Sequence, residues 1–361
     1  MLTIRAVPHR DENSLLAAYH AGLRRHWPLG ARTLAGLLAR AGRGGWSSSE
    51  RNLLPDAVRR AGLSMRDRKG VHRLLNPGAF PIAANPLKNK QLFAQVAQQV
   101  GLPVATACDP MRDDLDAWLA NESDIIAKPS FRSKGQGVER FRRGADGWQG
   151  ADGLIANDRL QARLRALWQA GGVIQRRLPT HAALADLSPG ALPTLRVVTC
   201  LDETGAPEAC ALALRLSAGG ARPVDNFNAG NLVLGIDDQG RCLTAWLGGS
   251  DKPTAHDRHP TTGAAIAGTL VPDLAEAIAL ACRAHLAFAG FTVIGWDIGL
   301  TSDGPMLVEG NWNPGTDILQ LVSGQGLADT RLGALYRHHL EQVSIERWRG
   351  AAVVQWDRRG R

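Results

Sequence analysis

Residues 295–315, "GWDIGLTSDGPMLVEGNWNPG", contain two short apolar runs on either side of the turn-forming residues "TSDGP". Short branched apolar runs separated by Gly, Pro, Asp or Ser are typical of a β-hairpin. A three-residue loop at 302–304, in which Gly304 supplies the left-handed position, is a common connection. Residue 301 then pairs with 305, and Asp297 is predicted to lie directly opposite Glu309.

Side chains alternate along a strand, and this alternation sorts apolar from polar residues in the predicted hairpin. The predicted apolar face carries Trp296, Ile298, Leu300, Met306 and Val308. The opposite face carries Asp297, Glu309 and Asn311. Opposed like charges destabilise a sheet, so either one carboxylate is protonated or a divalent cation lies between them. Two carboxylates and an amide oxygen suit Mg²⁺; a solvated hairpin with incidental acids is the alternative.

The composition is typical of a soluble globular protein, since 44% of the 361 residues are hydrophobic and 21% are charged. A chain of this length has room for two or three subdomains. No run of about 18 apolar residues occurs, so no membrane span is expected. The cysteines are scattered without a CxxC pair, which is typical of reduced thiols. The start also lacks a signal-peptide pattern, and together these features predict a cytoplasmic protein.

The net charge of +8 is unevenly distributed along the chain. Residues 1–85 contain 14 Lys and Arg against 5 Asp and Glu, whereas the remainder contains 28 against 29. A basic segment can mark a nucleic-acid-binding or membrane-surface region. This segment lacks interleaved aromatic residues and any nucleic-acid-binding motif. The sequence therefore favours a solvated helical face that attracts an anionic substrate over nucleic-acid binding.

The order of predicted elements indicates an α+β chain. Residues 1–84 have the pattern of short basic helices and end in a Pro/Gly-rich stretch that marks a boundary. Residues 85–178 combine helices, short strands and a glycine-bearing loop. Residues 179–345 consist mainly of strands joined by turns, with two helices, and residues 346–361 form a polar tail. We expect the first of these regions to be helical and the next two to be α+β parts.

The stretch "IIAKPSFRSKGQGV", residues 125–138, has features of a phosphate-binding segment. Lys128 ends an apolar strand, where its ammonium can reach a phosphate as a point charge. The loop 130–137 contains Gly135 and Gly137, which allow backbone N–H groups to approach an anion. It is neither a Walker A loop nor a GxGxxG motif. A glycine hairpin with a surface lysine is the alternative for this segment alone.

Several motifs occur in a fixed order between residues 85 and 320: "NKQLFAQVAQQVGLPV", "IIAKPSFRSKGQGV", "VIQRRL", "TLRVVT", "NFNAGN" and "GWDIGL…GPMLVEGNWNPG". This series resembles the ATP-grasp superfamily, in particular its sugar-transfer-associated and alpha-L-glutamate ligase-like branch. The segment "LVEGNWNPG" is its most specific part. The resemblance implies an ATP-grasp fold, in which two α+β subdomains grip ATP, here preceded by an N-terminal helical region.

The resemblance also implies roles for individual residues. Lys90 and Lys128 would contact the phosphates and adenine of ATP. The 130–137 loop would close over the phosphates as a lid, through Ser130, Lys134, Gly135 and Gly137. The hinge strand beside the adenine would be formed, largely through backbone groups, by Gln175, Arg176, Arg177 and Leu178. The side of the transferred phosphoryl group or the substrate carboxylate would be lined by Arg196, Arg215, Asn226 and Asn228. Magnesium would be bound by Asp297, Glu309 and Asn311.

Two positions depart from the pattern of many relatives. The hinge segment "QRRL" has arginine where many relatives have glutamate, which puts the ribose contact in doubt. Gly295 and Trp296 precede the metal aspartate, where several relatives have an arginine. More of the charge neutralisation is therefore expected from Arg196 and Arg215.

The resemblance implies an ATP-dependent carboxylate–amine ligase that uses Mg²⁺, or alternatively Mn²⁺. ATP would phosphorylate a substrate carboxylate, and an amine would then displace phosphate from the acylphosphate to form an amide. Two alternatives would use the same site: a kinase that phosphorylates a hydroxyl, and an inactive nucleotide-binding module. The expected partners are a small-molecule carboxylate and amine, with no nucleic acid, and the oligomeric state is left open.

Overall fold

A computed structural model describes the protein over residues 15–26, 45–131, 136–219, 227–249 and 252–349. These residues form two antiparallel sheets with helices packed against them, which confirms the α+β class. The α-helices are α1 (Leu15–His26), α2 (Ser48–Leu53), α3 (Asp56–Arg60), α4 (Met65–Leu75), α5 (Lys90–Gln99), α6 (Leu115–Ala120), α7 (Asn157–Gln169), α8 (Leu274–Ala287), α9 (Asp317–Ser323) and α10 (Arg331–Glu341). Within these ranges, no helix is both long and apolar enough to cross a membrane.

The smaller sheet has six strands in the order β1-β6-β2-β3-β4-β5. Its strands are β1 (Ala107–Cys108), β2 (Asp124–Lys128), β3 (Glu139–Gly144), β4 (Gly147–Gly150), β5 (Gly153–Ile155) and β6 (Val173–Arg176). Strand β2 is hydrogen-bonded to β3 and β6, and its central residues Ile125 to Ala127 are buried. Helices α6 and α7 complete this core with Leu119 and Leu164. The apolar run before Lys128 therefore forms an interior strand, and Lys128 lies at its end.

The larger sheet has seven strands in the order β11-β10-β9-β8-β7-β12-β13. Its strands are β7 (Thr194–Leu201), β8 (Pro207–Leu216), β9 (Leu232–Ile236), β10 (Cys242–Leu247), β11 (Thr254–His256), β12 (Val293–Thr301) and β13 (Gly304–Asn311). Helix α8 covers one face, where Leu280 packs with Trp296 and Ile298 in one core. Helices α9 and α10 cover part of the other face, and α1 and α4 pack against α10 in the same core as Val198 and Val293. Every residue of β12 is buried because both faces are covered in this way.

The hairpin β12–β13 confirms the predicted pairing of Asp297 with Glu309, but it reaches this pairing by a different register. Thr301 pairs with Gly304, so the loop has two residues rather than three. A register shift between Asp297 and Ile298 then leaves Val308 as an extra residue in β13, a β-bulge. The shorter loop and the bulge compensate for each other at Glu309.

The expected apolar face of β13 is therefore wrong. Leu307, not Met306 or Val308, lies opposite Ile298 and is 2% exposed in the core. Gly310 lies opposite Trp296, where an added Cβ atom would come within 3.0 Å of the indole ring. Val308 instead lines a cavity beside Glu309. One extra residue in a strand reverses the faces of the residues on one side of it, because side chains alternate.

The N-terminal helices are tied directly to this hairpin by Asn76, which follows α4 and is fully buried. Its Nδ2 donates hydrogen bonds to the carbonyl oxygens of Val293, at 2.8 Å, and Trp312, at 2.6 Å. Its Oδ1 accepts hydrogen bonds from the backbone N–H groups of Thr292 and Val293. One side chain thus satisfies four backbone groups of the larger sheet and its following loop. The predicted boundary near residue 84 remains a prediction.

The bulge predicts a difference between two adjacent residues of β13. Leu307→Ala should lower the free energy of unfolding by about 3 kcal/mol, because it leaves a cavity in a closed core. Met306→Ala should lower it by less than about 1 kcal/mol, because Met306 is only partly buried. Urea unfolding of both variants measures the difference. A larger loss at Met306 would instead support the register with a three-residue loop.

Candidate active site between the two sheets

A cavity of about 890 Å³ lies between the two sheets and is bordered by the N-terminal helices. The smaller sheet lines it with Ile126 and Lys128 of β2 and with Gln175 at the end of β6. The larger sheet lines it with charged residues of three strands: Arg196 of β7, Arg215 of β8, and Asp297 of β12. Its volume is in the upper part of the range for small-molecule sites, roughly 300–1,000 Å³. It therefore has room for a nucleotide together with a second substrate.

Asp297 is held by two arginines in the middle of this cavity. Arg196 lies directly opposite it on β7 and donates from Nε to Oδ1 at 2.6 Å and from Nη2 to Oδ2 at 3.1 Å. Arg215 donates from Nη1 to Oδ1 at 3.0 Å. All three side chains are buried. Burial alone raises the pKa of Asp297, but the charges and hydrogen bonds of the arginines outweigh it and hold the pKa below its usual value.

Glu309 pairs with a different cation, Lys90, at a distance of 3.3 Å from Nζ to Oε1. Lys90 begins helix α5, which is capped by Asn89, whose Oδ1 accepts hydrogen bonds from the N–H groups of Gln91 and Leu92. Lys88 also lines the cavity. Burial lowers the pKa of Lys88, while the charge of Glu309 raises it and that of Lys90 lowers it. The two opposed carboxylates are thus neutralised separately, one by arginines and the other by lysines.

The oxygen atoms of this hairpin fit a divalent cation that shares phosphate ligands. A carboxylate has about four lone-pair positions, and the arginines occupy three of those on Asp297. Glu309 is more open, with 34% of its side chain exposed. The Nδ2 atom of Asn311 is buried without a hydrogen-bond partner in the described part of the chain, so this side chain has a place for an additional oxygen acceptor. The described residues hold no group of three His, Cys, Asp or Glu side chains placed to bind a metal, whereas Mg²⁺ typically needs only one or two carboxylates beside phosphates.

The residues predicted to form the hinge border the cavity, and the two arginines among them interact with acids outside it. Gln175, Arg176, Arg177 and Leu178 all line the cavity. The Arg176 guanidinium forms a bidentate ion pair with Glu122 at 2.8–3.0 Å. Arg177 lies within 4.0 Å of Asp124. With both guanidiniums directed to carboxylates, neither of these two side chains is directed into the cavity, and the hinge role implied by the resemblance stays a prediction.

Ser130 differs from the sequence expectation of a contact with the nucleotide. Its hydroxyl accepts a hydrogen bond from the N–H of Lys90 at 3.0 Å and donates one to the carbonyl oxygen of Gly171 at 2.5 Å. It does not line the cavity. Both hydrogen bonds join backbone segments, so Ser130 fixes the start of α5 beside β2 and acts on the site only through Lys90.

Three predicted residues, Lys134, Gly135 and Asn226, lie outside the described residues. Gly137 is described and has a φ of +73°, in the left-handed region that its role in a glycine loop requires. Asn228 lines the cavity together with Phe227. The predicted lid is therefore represented only by its two ends.

The N-terminal helices contribute a wall of the cavity that the motifs do not reveal. Helix α2 supplies Glu50, and helix α4 supplies Arg68 and Lys69. The loop after β13 supplies Asn313, and helix α9 supplies its first residue, Asp317. The basic excess of residues 1–85 is the only sequence signal for this wall. It indicates attraction of an anion but does not say which of 14 cations faces a ligand.

His72 fixes the orientation of Asn313 from within helix α4. Its Nδ1 lies 2.8 Å from Oδ1 of Asn313, and its Nε2 lies 2.7 Å from the hydroxyl of Tyr336. Complete burial lowers the pKa of His72 to about 3, and the charge of Arg68 contributes to this shift. The imidazole is therefore neutral at pH 7. Because an amide oxygen can only accept, Nδ1 donates to Asn313, and the amide NH₂ group of Asn313 remains a donor on a residue that lines the cavity.

Comparison with known proteins identifies the family. Residues 72–334 match the sugar-transfer associated ATP-grasp family, so the chain belongs to it, and the resemblance drawn from the motifs is confirmed. The chain is also similar to the ATP-grasp ligase PsnB complexed with its minimal precursor, at 15% identity over 73% of this chain and 63% of that chain, with a TM-score of 0.39. This match spans less than two thirds of PsnB.

Two further solved structures are similar at the same level. The D-alanine–D-alanine ligase from Bacillus anthracis has 11% identity over 72% of this chain and 69% of that chain, with a TM-score of 0.41. The N5-carboxyaminoimidazole synthetase from Staphylococcus aureus, complexed with ADP, has 11% identity over 68% and 54%, with a TM-score of 0.38. No curated protein matches the chain by sequence.

The buried Asp297 cluster predicts a large effect of a small substitution. Asp297→Asn should lower the free energy of unfolding by about 3 kcal/mol, because it leaves two buried guanidiniums without a counter-charge. Glu309→Gln, on the opposite strand, should change it by less than about 1 kcal/mol, since its ion pair is partly exposed. Urea unfolding in EDTA measures both. Equal stability of the two variants would contradict the central place given to Asp297.

Proposed function

We propose that the protein is an ATP-dependent carboxylate–amine ligase that forms an amide through an acylphosphate. One observation carries the proposal: the cavity has lysines on one side of the hairpin and a fixed pair of arginines on the other. Lys88, Lys90 and Lys128 suit the phosphates of ATP, because ammonium groups bind them as point charges. Arg196 and Arg215 suit a carboxylate, because guanidinium groups form two parallel hydrogen bonds with it.

The charge balance of this region supports binding of a polyanion. Among the described residues that line the cavity, nine are Lys or Arg and four are Asp or Glu, which gives the lining a net charge of +5. Confined positive charge of this kind attracts and holds phosphates. The arginines are already oriented by Asp297, so they do not need to reorganise as negative charge develops.

The two chemical steps that we propose need no nucleophile from the protein. First, a carboxylate oxygen attacks the γ-phosphorus of ATP, and the bond from that phosphorus to the bridging oxygen breaks to release ADP. An amine nitrogen then attacks the acyl carbon, phosphate leaves with the bonding electron pair, and the nitrogen loses a proton. The chain contributes positioning and charge stabilisation. Glu309, Asn311 and the remaining lone pair of Asp297 would hold Mg²⁺, which neutralises charge on the phosphates when bound.

The first prediction from this proposal concerns the metal site. Glu309→Gln should reduce Mg²⁺-dependent ATP turnover by at least about a hundredfold, because it removes the most open carboxylate beside the phosphates. Phosphate release measured against Mg²⁺ and Mn²⁺ concentration tests this. The control is Asp303→Asn, which changes an exposed acid in the turn of the same hairpin and should leave turnover unchanged. Full activity in Glu309→Gln would remove the hairpin from the chemistry.

A second prediction concerns the reaction type. In a panel of carboxylates and amino acids, an accepted acid should stimulate ATP hydrolysis, and hydroxylamine should convert its acylphosphate to a hydroxamate. Arg215→Lys should strongly reduce the hydroxamate yield, because an ammonium cannot form the bidentate contact. Arg215 is the better residue to substitute, because Arg196 donates to both oxygens of Asp297 and its loss would disturb the aspartate itself.

The control for this experiment is Arg241→Lys, which changes an exposed arginine far along the chain from the hairpin. Nucleotide affinity of Arg215→Lys should remain within about tenfold of the wild type, which corresponds to roughly 1.4 kcal/mol. A phosphorylated product that is stable to hydroxylamine, formed without any dependence on an amine, would identify a kinase instead.

A further inference from the structure

Arg68 lies at the end of the cavity formed by helix α4 and has an incomplete set of hydrogen bonds. Only 6% of the residue is exposed, and it lines the cavity. Its Nη1 donates a hydrogen bond to the carbonyl oxygen of Pro314 at 2.9 Å. Its Nε is buried and has no hydrogen-bond partner in the described part of the chain. A buried donor of a charged group is costly to leave without an acceptor, so an oxyanion that reached this guanidinium would be bound favourably.

The loop after β13 holds Arg68 in a fixed position. Pro314 lies two residues after Trp312, and the carbonyl oxygen of Trp312 accepts a hydrogen bond from Nδ2 of Asn76. Gly315 packs so closely that an added Cβ atom would lie 3.4 Å from Nη1 of Arg68 and 2.9 Å from Oδ1 of Asp317. A side chain at residue 315 would therefore fill the space beside the guanidinium. The arginine is built into the wall of the cavity rather than extended into solvent.

The acids near Arg68 form no ion pair with it in the described part of the chain. Glu50 accepts hydrogen bonds from the N–H of Met65 at 2.6 Å, from the N–H of Ser47 at 2.9 Å and from the Ser47 hydroxyl at 2.7 Å. Among the described residues, neither Glu50 nor Asp317 comes within 4.0 Å of the Arg68 nitrogens to form an ion pair. Burial lowers the pKa of Arg68, the charge of Asp317 opposes this shift, and the charge of Arg196 adds to it. Arg68 is therefore a buried cation close enough to Arg196 for their charges to interact.

We propose that the substrate acid carries a second oxyanion, which binds Arg68 while its reacting carboxylate lies at Arg196 and Arg215. This inference rests on the proposed function for the reacting carboxylate and extends it to the substrate class, a dicarboxylate or a phosphorylated carboxylate. Arg68 would donate from Nε and a terminal nitrogen, as guanidiniums do to planar oxyanions. The amide NH₂ group of Asn313, oriented by His72, would donate beside it.

Calorimetry with defined probes tests this inference in the presence of Mg²⁺ and a non-hydrolysable ATP analogue. Glutarate is compared with valerate, and 3-phosphoglycerate with glycerate, so that the two kinds of second oxyanion are distinguished. The wild type should bind one dianion at least about tenfold more tightly than its matched monoanion, the effect of one charge-assisted hydrogen-bond pair. Arg68→Gln should reduce this ratio to near one, and Arg68→Lys should reduce it in part.

The matched control is Arg66→Gln, which removes the same charge from an exposed position on the same helix and should preserve the ratio. Melting temperature and nucleotide affinity verify that the variants are folded. If Arg68→Gln does not fold, the ratio of dianion to monoanion affinity is compared between Arg68→Lys and the wild type, and this comparison tests the inference. A wild type without preference for either dianion, or a ratio that is unchanged in the Arg68 variants, would overturn the inference.

Hydroxamate formation by the same variants with the same acids, in separate assays that contain ATP, Mg²⁺ and hydroxylamine, separates this inference from the proposed reaction. Dianion binding that depends on Arg68, without any hydroxamate, would support the subsite and contradict the ligase chemistry. Hydroxamate formation with an Arg68-independent ratio would support the ligase chemistry and contradict the subsite.

Discussion

The ion pair of Asp297 with Arg196 and Arg215 is the constraint on which the arrangement of the site depends. It joins three adjacent strands, β8, β7 and β12, on the face of the larger sheet that opens to the cavity. A buried ion pair contributes little net stability, but breaking one partner is costly. Its main consequence here is geometric, because two guanidiniums are oriented before any ligand arrives. Such preorganised charge is effective in stabilising charge that develops during a reaction.

The same constraint explains how two opposed carboxylates coexist on one hairpin. The arginines neutralise Asp297 from the interior of the sheet, whereas Lys90 approaches Glu309 from helix α5. Ser130 links α5 to strand β2 of the smaller sheet through the N–H of Lys90. The lysine side of the cavity therefore depends on contact between the two sheets, and the arginine side depends on the larger sheet alone.

The hairpin shows which parts of the fold the sequence can predict. The pairing of Asp297 with Glu309 follows from composition, because only this register places both acids with Asn311 on one polar face. The loop length and the bulge cannot be predicted in the same way. A three-residue loop without a bulge and a two-residue loop with one both pair Asp297 with Glu309, so the sequence is compatible with either hairpin. Likewise, cavity-lining positions such as Lys128 can be assigned from motifs, but the hydrogen bonds of Ser130 depend on Gly171, a residue distant in the sequence. The hairpin sequence alone does not predict that β7 pairs with β12, or that Arg196 and Arg215 bind Asp297.

The cavity is lined partly by residues inside the region that matches the family and partly by N-terminal helices that precede it. The lysines, arginines and acids assigned to phosphate chemistry all lie within residues 72–334, which match the family. Glu50 and Arg68, which form the opposite end of the cavity, precede the matched region. Their helices nevertheless share a core with the larger sheet, since Val71 of α4 and Val198 of β7 belong to one buried cluster. This wall is packed firmly enough to hold Arg68 against the buried loop after β13, where its Nη1 donates to Pro314.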